Sequence, residues 1–577
     1  MCGIAGVHFP GGERRERLRE IVARMTATLR HRGPDSGGLW FDHRAGIGLG
    51  HRRLAILDLT EAGHQPFASA SGRTVITFNG EIYNFAELRR RLDYPFRSGA
   101  DTEVLVAAIE LWGLERTLAE IDGMYAFAVW DRHRRSLHLA RDRFGEKPLY
   151  YRRDSEAIYF ASEVRAFESI PGMDLRIDEL AKDHLLRFGY IAGPRTIWQG
   201  VSSLPPNHWM PGDGEPHAPP AESAPPPFRG TEQDAVEELH RVLEPAVRSR
   251  LIADVPVGVF LSGGVDSSLV TIYGGGVRAF TAGFEEAGFN ESAHASQLAA
   301  YLGVPHEVWT ISASEALRAI PDLPSVFDQP FADSSQIPAL LLARHARQDV
   351  TVALGGDGGD ELFAAYPRYR QIALLARAPG WIRTPAAVLA GLSAAEKARL
   401  LAECAHAKDL ASLYRGILGG AAEPQLESQH PIAWMCAHDL ANYLPDDLLV
   451  KLDRCAMSVA LETRLPLLAP EVVRFAASLP MAMRRNKRIP RLLLRRHLSG
   501  AFADRPKKGF CAPVAKWLRG PLRDWAEDLV PGITATLPAG NRCVRPWSRL
   551  MLEAWFRQRG AGEPSSPRPL EPVAVPD

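Results

Sequence analysis

Residues 205–230, PPNHWMPGDGEPHAPPAESAPPPFRG, carry too much Pro and Gly to continue a helix or a strand interior. The stretch reads as an extended linker or surface crossing, and it divides a chain whose 577 residues already exceed what one core organises. The expected divisions are a first domain over 1–210, a linker at 211–230, a second domain over 231–540 and an extension over 541–577. That extension ends in GAGEPSSPRPLEPVAVPD, a Pro-rich composition expected to be disordered in part.

The two sides of the linker differ in texture. Before it, alternating runs such as RTVITFNGEIYN and SLHLARD predict an antiparallel, strand-rich α+β domain, with helices at RERLREIVARMTATLRHR and DTEVLVAAIELWG. After it, VPVGVFL, VRAFTAGF and DVTVALGG are separated by helical segments, a rhythm that predicts an α/β domain on a parallel sheet. Val236, Leu239, Leu243 and Val247 share one helical face there, with a kink or break expected at Pro245. Residues from about 370 to 530 read as mainly helical.

Charge narrows the partners. Lys plus Arg and Asp plus Glu both number 68, so net charge gives no reason to expect nucleic acid or an anionic membrane. The six cysteines are scattered, which argues against a disulfide framework or a structural metal and for a reducing cytoplasm. No charged and then apolar leader begins the chain, and the longest apolar runs are broken by charges before a membrane span is reached.

VFLSGGVDSS, Val259 to Ser268, is the most specific short signal. An apolar strand runs into Ser262, Gly263 and Gly264, then Asp266, Ser267, Ser268 and a helix. Glycines let the backbone approach an anion, and amides at a helix start supply donors. The serines add hydroxyls, and Asp266 is a candidate Mg²⁺ ligand. The Gly-Lys-Ser/Thr ending of a Walker A loop is missing. In its full order the motif resembles the pyrophosphate loop of ATP pyrophosphatases, which cleave ATP between the α and β phosphates to adenylylate a substrate. A second loop, Gly355, Gly356, Asp357, Gly358, Gly359, Asp360, Glu361, follows a strand. It suits Mg²⁺ and a nucleotide at the ligand edge of an α/β sheet, and equally an acidic helix start.

The chain begins MCGIAGV. With Met1 removed, Cys2 carries a thiol beside a free α-amino group, whose reference pKa near 8 lets it act as general base. By position alone this is balanced against a buried structural cysteine. MCGIAG, HRGPDS (31–36), GHRRLAILD (50–58), FNGEIYN (78–84), SGADTEV (98–104) and ARDRFGEKPLYY (140–151) follow in order and together resemble the class II glutamine amidotransferase domain, an N-terminal-nucleophile hydrolase. The resemblance implies that Cys2 attacks the glutamine side-chain amide and that Asn79 and the Gly80 N–H form the oxyanion hole. It further implies that Arg53 holds the α-carboxylate and that Glu81 and Asp101 accept from the α-ammonium. Arg32 to Asp35 and Arg141 to Lys147 are assigned to loop and domain structure.

An amidotransferase domain followed by an SGGVDSS domain resembles the glutamine-hydrolysing asparagine synthetase family over roughly residues 2 to 530. KLDRCAMSVALETRLPLL (451–468) and RPKKGFCAPVAKWLRGPLRDW (505–525) look like its later motifs. The resemblance implies ATP and Mg²⁺ as cofactors, with Asp266 and Asp360 as metal ligands. Leu261, Ser262, Gly263, Gly264, Asp266, Ser267, Ser268, Ala282, Gly355 and Gly356 would contact the nucleotide, and Asp357 and Lys507 would act in adenylylation. Composition alone reads Lys507 and Lys508 as a solvated basic pair. Other partners would be small molecules, glutamine and an acceptor carboxylate; a homodimer is left open.

The acidic loop departs from the Ser-Gly-Glu-Gly start of dedicated asparagine synthetases: Gly355 removes a hydroxyl and Asp357 shortens a carboxylate. DQPFADSSQIP (328–338) looks like the broad bacterial paralogue group, whose members amidate other carboxylates. Aspartate leads as acceptor, with surface-polysaccharide sugars or natural-product intermediates as the alternative. A glutaminase-only protein with a degenerate second half is disfavoured by the intact SGGVDSS.

Overall fold

The two textures fold into three sheets. The computed structural model describes residues 2–11, 15–219, 225–285, 290–376, 409–420, 422, 430–498, 512–537 and 544–560. In the first part the strands are β1 (Gly3–His8), β2 (Ser36–Asp42), β3 (Ile47–Arg53), β4 (Phe67–Ala68), β5 (Thr74–Ile82), β6 (Gly123–Asp131), β7 (Ser136–Arg141), β8 (Tyr150–Arg153), β9 (Ile158–Ala161), β10 (Val201–Ser203) and β11 (Trp209–Pro211). They form two antiparallel sheets, ordered β10-β8-β9-β1-β3-β2 and β11-β7-β6-β5-β4. Strand alternation decides what each face buries. Ile4, Leu49 and Phe160 of the first sheet pack on Ala126, Ala128 and Trp130 of the second.

The outer faces are covered by the two helices expected from the sequence. Ala5 and Val7 meet Leu18, Ile21, Val22 and Met25 of the helix Arg15–Ala27. Ile76, Phe78 and Phe127 meet Val104, Leu105 and Ala108 of the helix Asp101–Trp112. The result is a helix–sheet–sheet–helix sandwich. β1 runs between β9 and β3, so Cys2 enters beside the middle of a sheet rather than at a fraying edge.

The second part carries β12 (Val257–Phe260), β13 (Arg278–Phe284), β14 (His306–Ile311), β15 (Val352–Leu354) and β16 (Glu462–Arg464). All are parallel, in the order β14-β13-β12-β15-β16. The direction of winding reverses between β12 and β15, which opens a crevice at their carboxyl ends. Those two ends are where SGGVDSS and GGDGGDE begin.

The helix Glu232–Ser249 starts on a Thr231/Asp234 capping box and runs through Pro245 without the expected break. Its buried face, including Val236, Leu239, Leu243 and Val247, is embedded in the second domain's core. That packing outweighs the one backbone hydrogen bond Pro245 cannot donate. Just before this helix, Phe228 donates its N–H to Ser478 (2.9 Å) and sets its ring on Phe475. Among the described residues no helix is long and apolar enough to cross a membrane.

Candidate active sites

Cys2 immediately precedes β1, and its nitrogen donates to Oδ1 of Asn79 on β5 at 2.9 Å. One bond thus ties the end of the first sheet to the second. It also fixes the orientation of the Asn79 amide, whose Nδ2 is buried with no hydrogen-bond partner. A buried, unanswered donor is costly unless something else answers it, as a developing oxyanion would. The next residue must be glycine, because a Cβ at Gly80 would lie 2.1 Å from the Met124 carbonyl oxygen. Burial pushes the Cys2 thiol up. Burial favours the neutral thiol at rest, with the proton leaving only as the sulfur attacks.

The surroundings of Cys2 come from both domains. Asp101 accepts the Ile82 N–H at 2.8 Å, and burial raises its carboxyl to about 6. Glu81 is raised further, by burial and then by Asp101. Across the interface, Arg464 of β16 lies 3.3 Å from Glu81 and 2.6 Å from Glu462. Burial would lift Glu462 too, but the chain's amino-terminal charge and Arg464 outweigh it and hold the carboxyl at about 2. Arg53 turns its guanidinium onto the loop after β3, donating to the carbonyls of Thr60 (2.8 Å), Leu57 (3.4 Å) and Asp58.

Arg32, read from the sequence as scaffold, reaches the backbone of Cys2. Its Nε donates to the Cys2 carbonyl at 3.1 Å, and its Nη1 donates to Glu163 at 2.8 Å. Both Nη atoms also donate to Asp453 of the helix Leu449–Met457, each at 2.8 Å. Burial alone would raise Asp453, but Arg32 wins and holds it at about 2. On the same helix Arg454 pairs with Asp328 at 2.6 Å and Lys451 with Asp333 at 2.6 Å. The motifs KLDR and DQPFADSS are therefore bound to each other by ion pairs. Arg141 keeps the scaffolding role, donating to the carbonyls of Lys147, Leu204 and Gly145.

In the crevice, the pyrophosphate-loop serines stiffen their own turn. Ser262 and Ser267 hydroxyls lie 3.0 Å apart, Gly264 donates to Ser262 Oγ at 3.3 Å, and Ser268 Oγ donates to the Gly264 carbonyl at 2.6 Å. Leu261 is buried and donates its N–H to the carbonyl of Phe280 on β13 (2.9 Å), two residues before Ala282. The acidic loop packs directly on this turn. A Cβ at Gly356 would lie 2.9 Å from the Ser267 nitrogen, and one at Gly359 would lie 2.5 Å from Asp266 Cγ. A Cβ at Gly355 would lie 2.9 Å from Leu465 Cδ2 and 3.1 Å from Asp357 Oδ2, so this chain's Gly355 matches its neighbours.

The glycine contacts bring Asp266 and Asp360 to a common cation, the ammonium of Lys487, which forms ion pairs with both. Two carboxylates with phosphate oxygens and water make a shell that fits Mg²⁺, which is held by one or two carboxylates in such sites. Among the described residues no group of three or more His, Cys, Asp or Glu forms a metal site by itself. Glu361 accepts from Tyr366 at 2.6 Å and is raised to about 7 by burial and by Asp360. Asp357 adds its charge to the field at Lys451. Lys507 lies outside the described residues.

The structure thus groups Cys2, Asn79, Gly80, Glu81, Asp101 and Arg53 around one end of the sandwich, and Leu261 to Ser268, Ala282 and Gly355 to Asp360 around the crevice. Arg464 stands between the groups: its side chain faces Glu81, while its carbonyl accepts the Gly355 N–H at 2.9 Å. Sequence reasoning missed Arg464, Glu462, Asp453 and Lys487. Asp453, Glu462 and Arg464 lie within the motif KLDRCAMSVALETRLPLL, which was read only as a whole, and nothing local signals Lys487.

A cysteine at the head of a two-sheet sandwich, joined to a parallel sheet with an SGGVDSS loop at its switch point, fits a glutamine amidotransferase coupled to an ATP-using domain. Comparison with known proteins agrees: residues 1–217 match the glutamine amidotransferase domain and residues 238–557 match asparagine synthase. The chain belongs to the asparagine synthase family. It is an ATP-dependent carbon–nitrogen ligase with glutamine as amide donor. Among its relatives, "Putative asparagine synthetase [glutamine-hydrolyzing]" of Mycobacterium tuberculosis is 34% identical, with 91% of this chain and 90% of that protein covered. "Asparagine synthetase [glutamine-hydrolyzing] 1" of Bacillus subtilis is 31% identical over 92% and 90%. "Amidase chry2" of Gibberella zeae is 31% identical over 64% and 60%.

Proposed function

We propose that the protein hydrolyses glutamine at Cys2 and passes the ammonia to an aspartate activated as its acyl-adenylate, giving asparagine, glutamate, AMP and pyrophosphate. The observation that carries the first half is the Cys2–Asn79 bond at 2.9 Å with Asn79 Nδ2 left buried and unpartnered. The Cys2 amino group takes the thiol proton as sulfur attacks the amide carbon. Asn79 Nδ2 and the Gly80 N–H receive the oxyanion, and the proton goes to the departing ammonia. The thioester so formed is then hydrolysed. Arg53 holds the substrate carboxylate, while Glu81 and Asp101 hold its ammonium.

In the crevice, the loop from Ser262 to Ser268 with Leu261, Ala282, Gly355 and Gly356 grips ATP. Asp266 and Asp360 would hold Mg²⁺, which neutralises charge on the phosphates when bound. Asp357 and Lys507 orient and stabilise charge as the carboxylate attacks the α phosphate. Ammonia then displaces AMP from the adenylate. Free ammonia protonates in bulk water, so an interior passage between the sites is the chemically sensible route.

The printed names of the Mycobacterium and Bacillus relatives support aspartate as acceptor. A second reading, amidation of another carboxylate, stays open because relatives named as amidases rather than asparagine synthetases also align with this chain. ATP–pyrophosphate exchange with aspartate against a panel of carboxylates decides between them. Exchange with aspartate supports the first reading; exchange only with another acid replaces it with the second.

A further inference from the structure

Lys487 is not a surface lysine that happens to reach an acid. It is 6% exposed, it contacts Asp266 and Asp360 at once, and it lies where the two carboxylates converge. The backbone makes a special arrangement to put it there. Asn486 and Lys487 are consecutive residues in the left-handed region, with φ of 57° and 56°, a conformation that side chains disfavour. Their N–H groups donate to the carbonyls of Ala364 (3.1 Å) and Phe363 (3.0 Å), just past the helix that carries Asp360. The ammonium is therefore fixed relative to the acidic loop.

We propose that Lys487 is a resident counter-ion of the metal position. In the nucleotide-free protein it holds Asp266 and Asp360 against free Mg²⁺ and yields only to the metal–ATP complex. The proposal rests on the reading of this crevice as the ATP site. Asp266, which is buried, and Asp360, which is half-buried, converge on one point and repel each other unless a cation lies between them, and a tethered ammonium supplies that charge. A free Mg²⁺ ion would have to displace it while gaining only two protein ligands and shedding tightly held water. The metal–nucleotide complex has what the free ion lacks: phosphate oxygens fill the metal's shell, and they accept the displaced ammonium in charge-assisted hydrogen bonds. Metal occupancy thereby becomes conditional on nucleotide. No covalent step is involved.

The test uses the full chain and Mn²⁺ as probe, with binding read from the electron paramagnetic resonance signal of free Mn²⁺. Lys487→Gln removes the charge and keeps a polar side chain one atom shorter, and Lys487→Gly accepts the left-handed backbone without strain. In the absence of nucleotide, Mn²⁺ should bind both variants at least about tenfold more tightly than wild type. Unchanged Mn²⁺ affinity in variants with native circular dichroism overturns the proposal. Should neither variant fold, the wild type decides by itself. Micromolar Mn²⁺ binding without nucleotide overturns the proposal, and binding only in the millimolar range upholds it. A wild type that fails to bind a non-hydrolysable ATP analogue would instead remove the nucleotide-site reading, an outcome scored separately from the nucleotide-free comparison.

Discussion

Arg32 and Asp453 are 421 residues apart in the chain and share two buried hydrogen bonds of 2.8 Å each. Arg32 also holds the carbonyl of Cys2, so the helix Leu449–Met457 of the second domain is strapped to the back of Cys2 in the first. Asp453→Asn removes the charge and keeps the shape. Because a buried guanidinium then loses a full partner, the domain interface should weaken by about 3–5 kcal/mol. The first transition in a urea titration followed by tryptophan fluorescence should move to lower denaturant, with glutaminase activity falling alongside it.

Cys2→Ala should abolish glutamine-dependent synthesis while ammonia-supported synthesis persists, since the crevice does not use the thiol. Asn79→Ala should lower glutaminase kcat by about 10²–10³, the usual loss for one oxyanion donor. Glutamate release and pyrophosphate release, measured in parallel with each nitrogen source, check both variants. Retention of glutaminase activity by Cys2→Ala would remove that residue from the mechanism.

Asp266→Ala acts on the other site. AMP formation should stop with either nitrogen source, while at least basal glutamine hydrolysis continues. A variant still forming AMP at the wild-type rate would show that this carboxylate is not needed there.

Burial raises Asp101 to about 6, so the carboxylate proposed to receive the glutamine ammonium is lost as pH falls through that value. The neutral acid attracts an ammonium far less, and kcat/KM for glutamine should decline on the acid side with a midpoint near 6. Asp101→Asn should lower kcat/KM at pH 7.5 and flatten that limb. An unaltered acid limb in the variant would assign the titration to another group.

Arg464→Gln leaves the backbone carbonyl that receives the Gly355 N–H but removes the charge balancing Glu81 and Glu462. Glutamine KM should rise by roughly tenfold or more, while the KM for ATP with ammonia as nitrogen source changes little. Equal changes in both would mean that the side chain serves the crevice as well.

The crevice loops are runs of consecutive residues, whereas Cys2, Arg53, Asn79 and Asp101 come from separate motifs. SGGVDSS and GGDGGDE are both strand-to-helix turns, and their glycines meet only because β12 and β15 are neighbours. β16 was not legible: Glu462, Thr463 and Arg464 lack an apolar run, and they are buried because the glutamate and arginine neutralise each other. Arg32 was read as scaffold because its partner Asp453 lies in a distant motif. Pro245 was read as a kink or break because a local rule cannot weigh the core that holds the Glu232–Ser249 helix. Lys487 had no local signature, since its meaning comes from Asp266, 221 residues earlier.

The helix Leu449–Met457 sets limits on how such enzymes can be recombined. It serves the second domain through Lys451 and Arg454 and the first through Asp453. The Pro-rich seam at 205–230 looks like the natural place to splice one parent's amidotransferase onto another's synthetase. A chimera cut there would inherit Arg32 from one parent and its counter-charge from the other. Only grafts that preserve the Arg32–Asp453 match will keep the nucleophile's strand properly seated, so the exchangeable unit extends some 230 residues beyond the visible seam, to this helix.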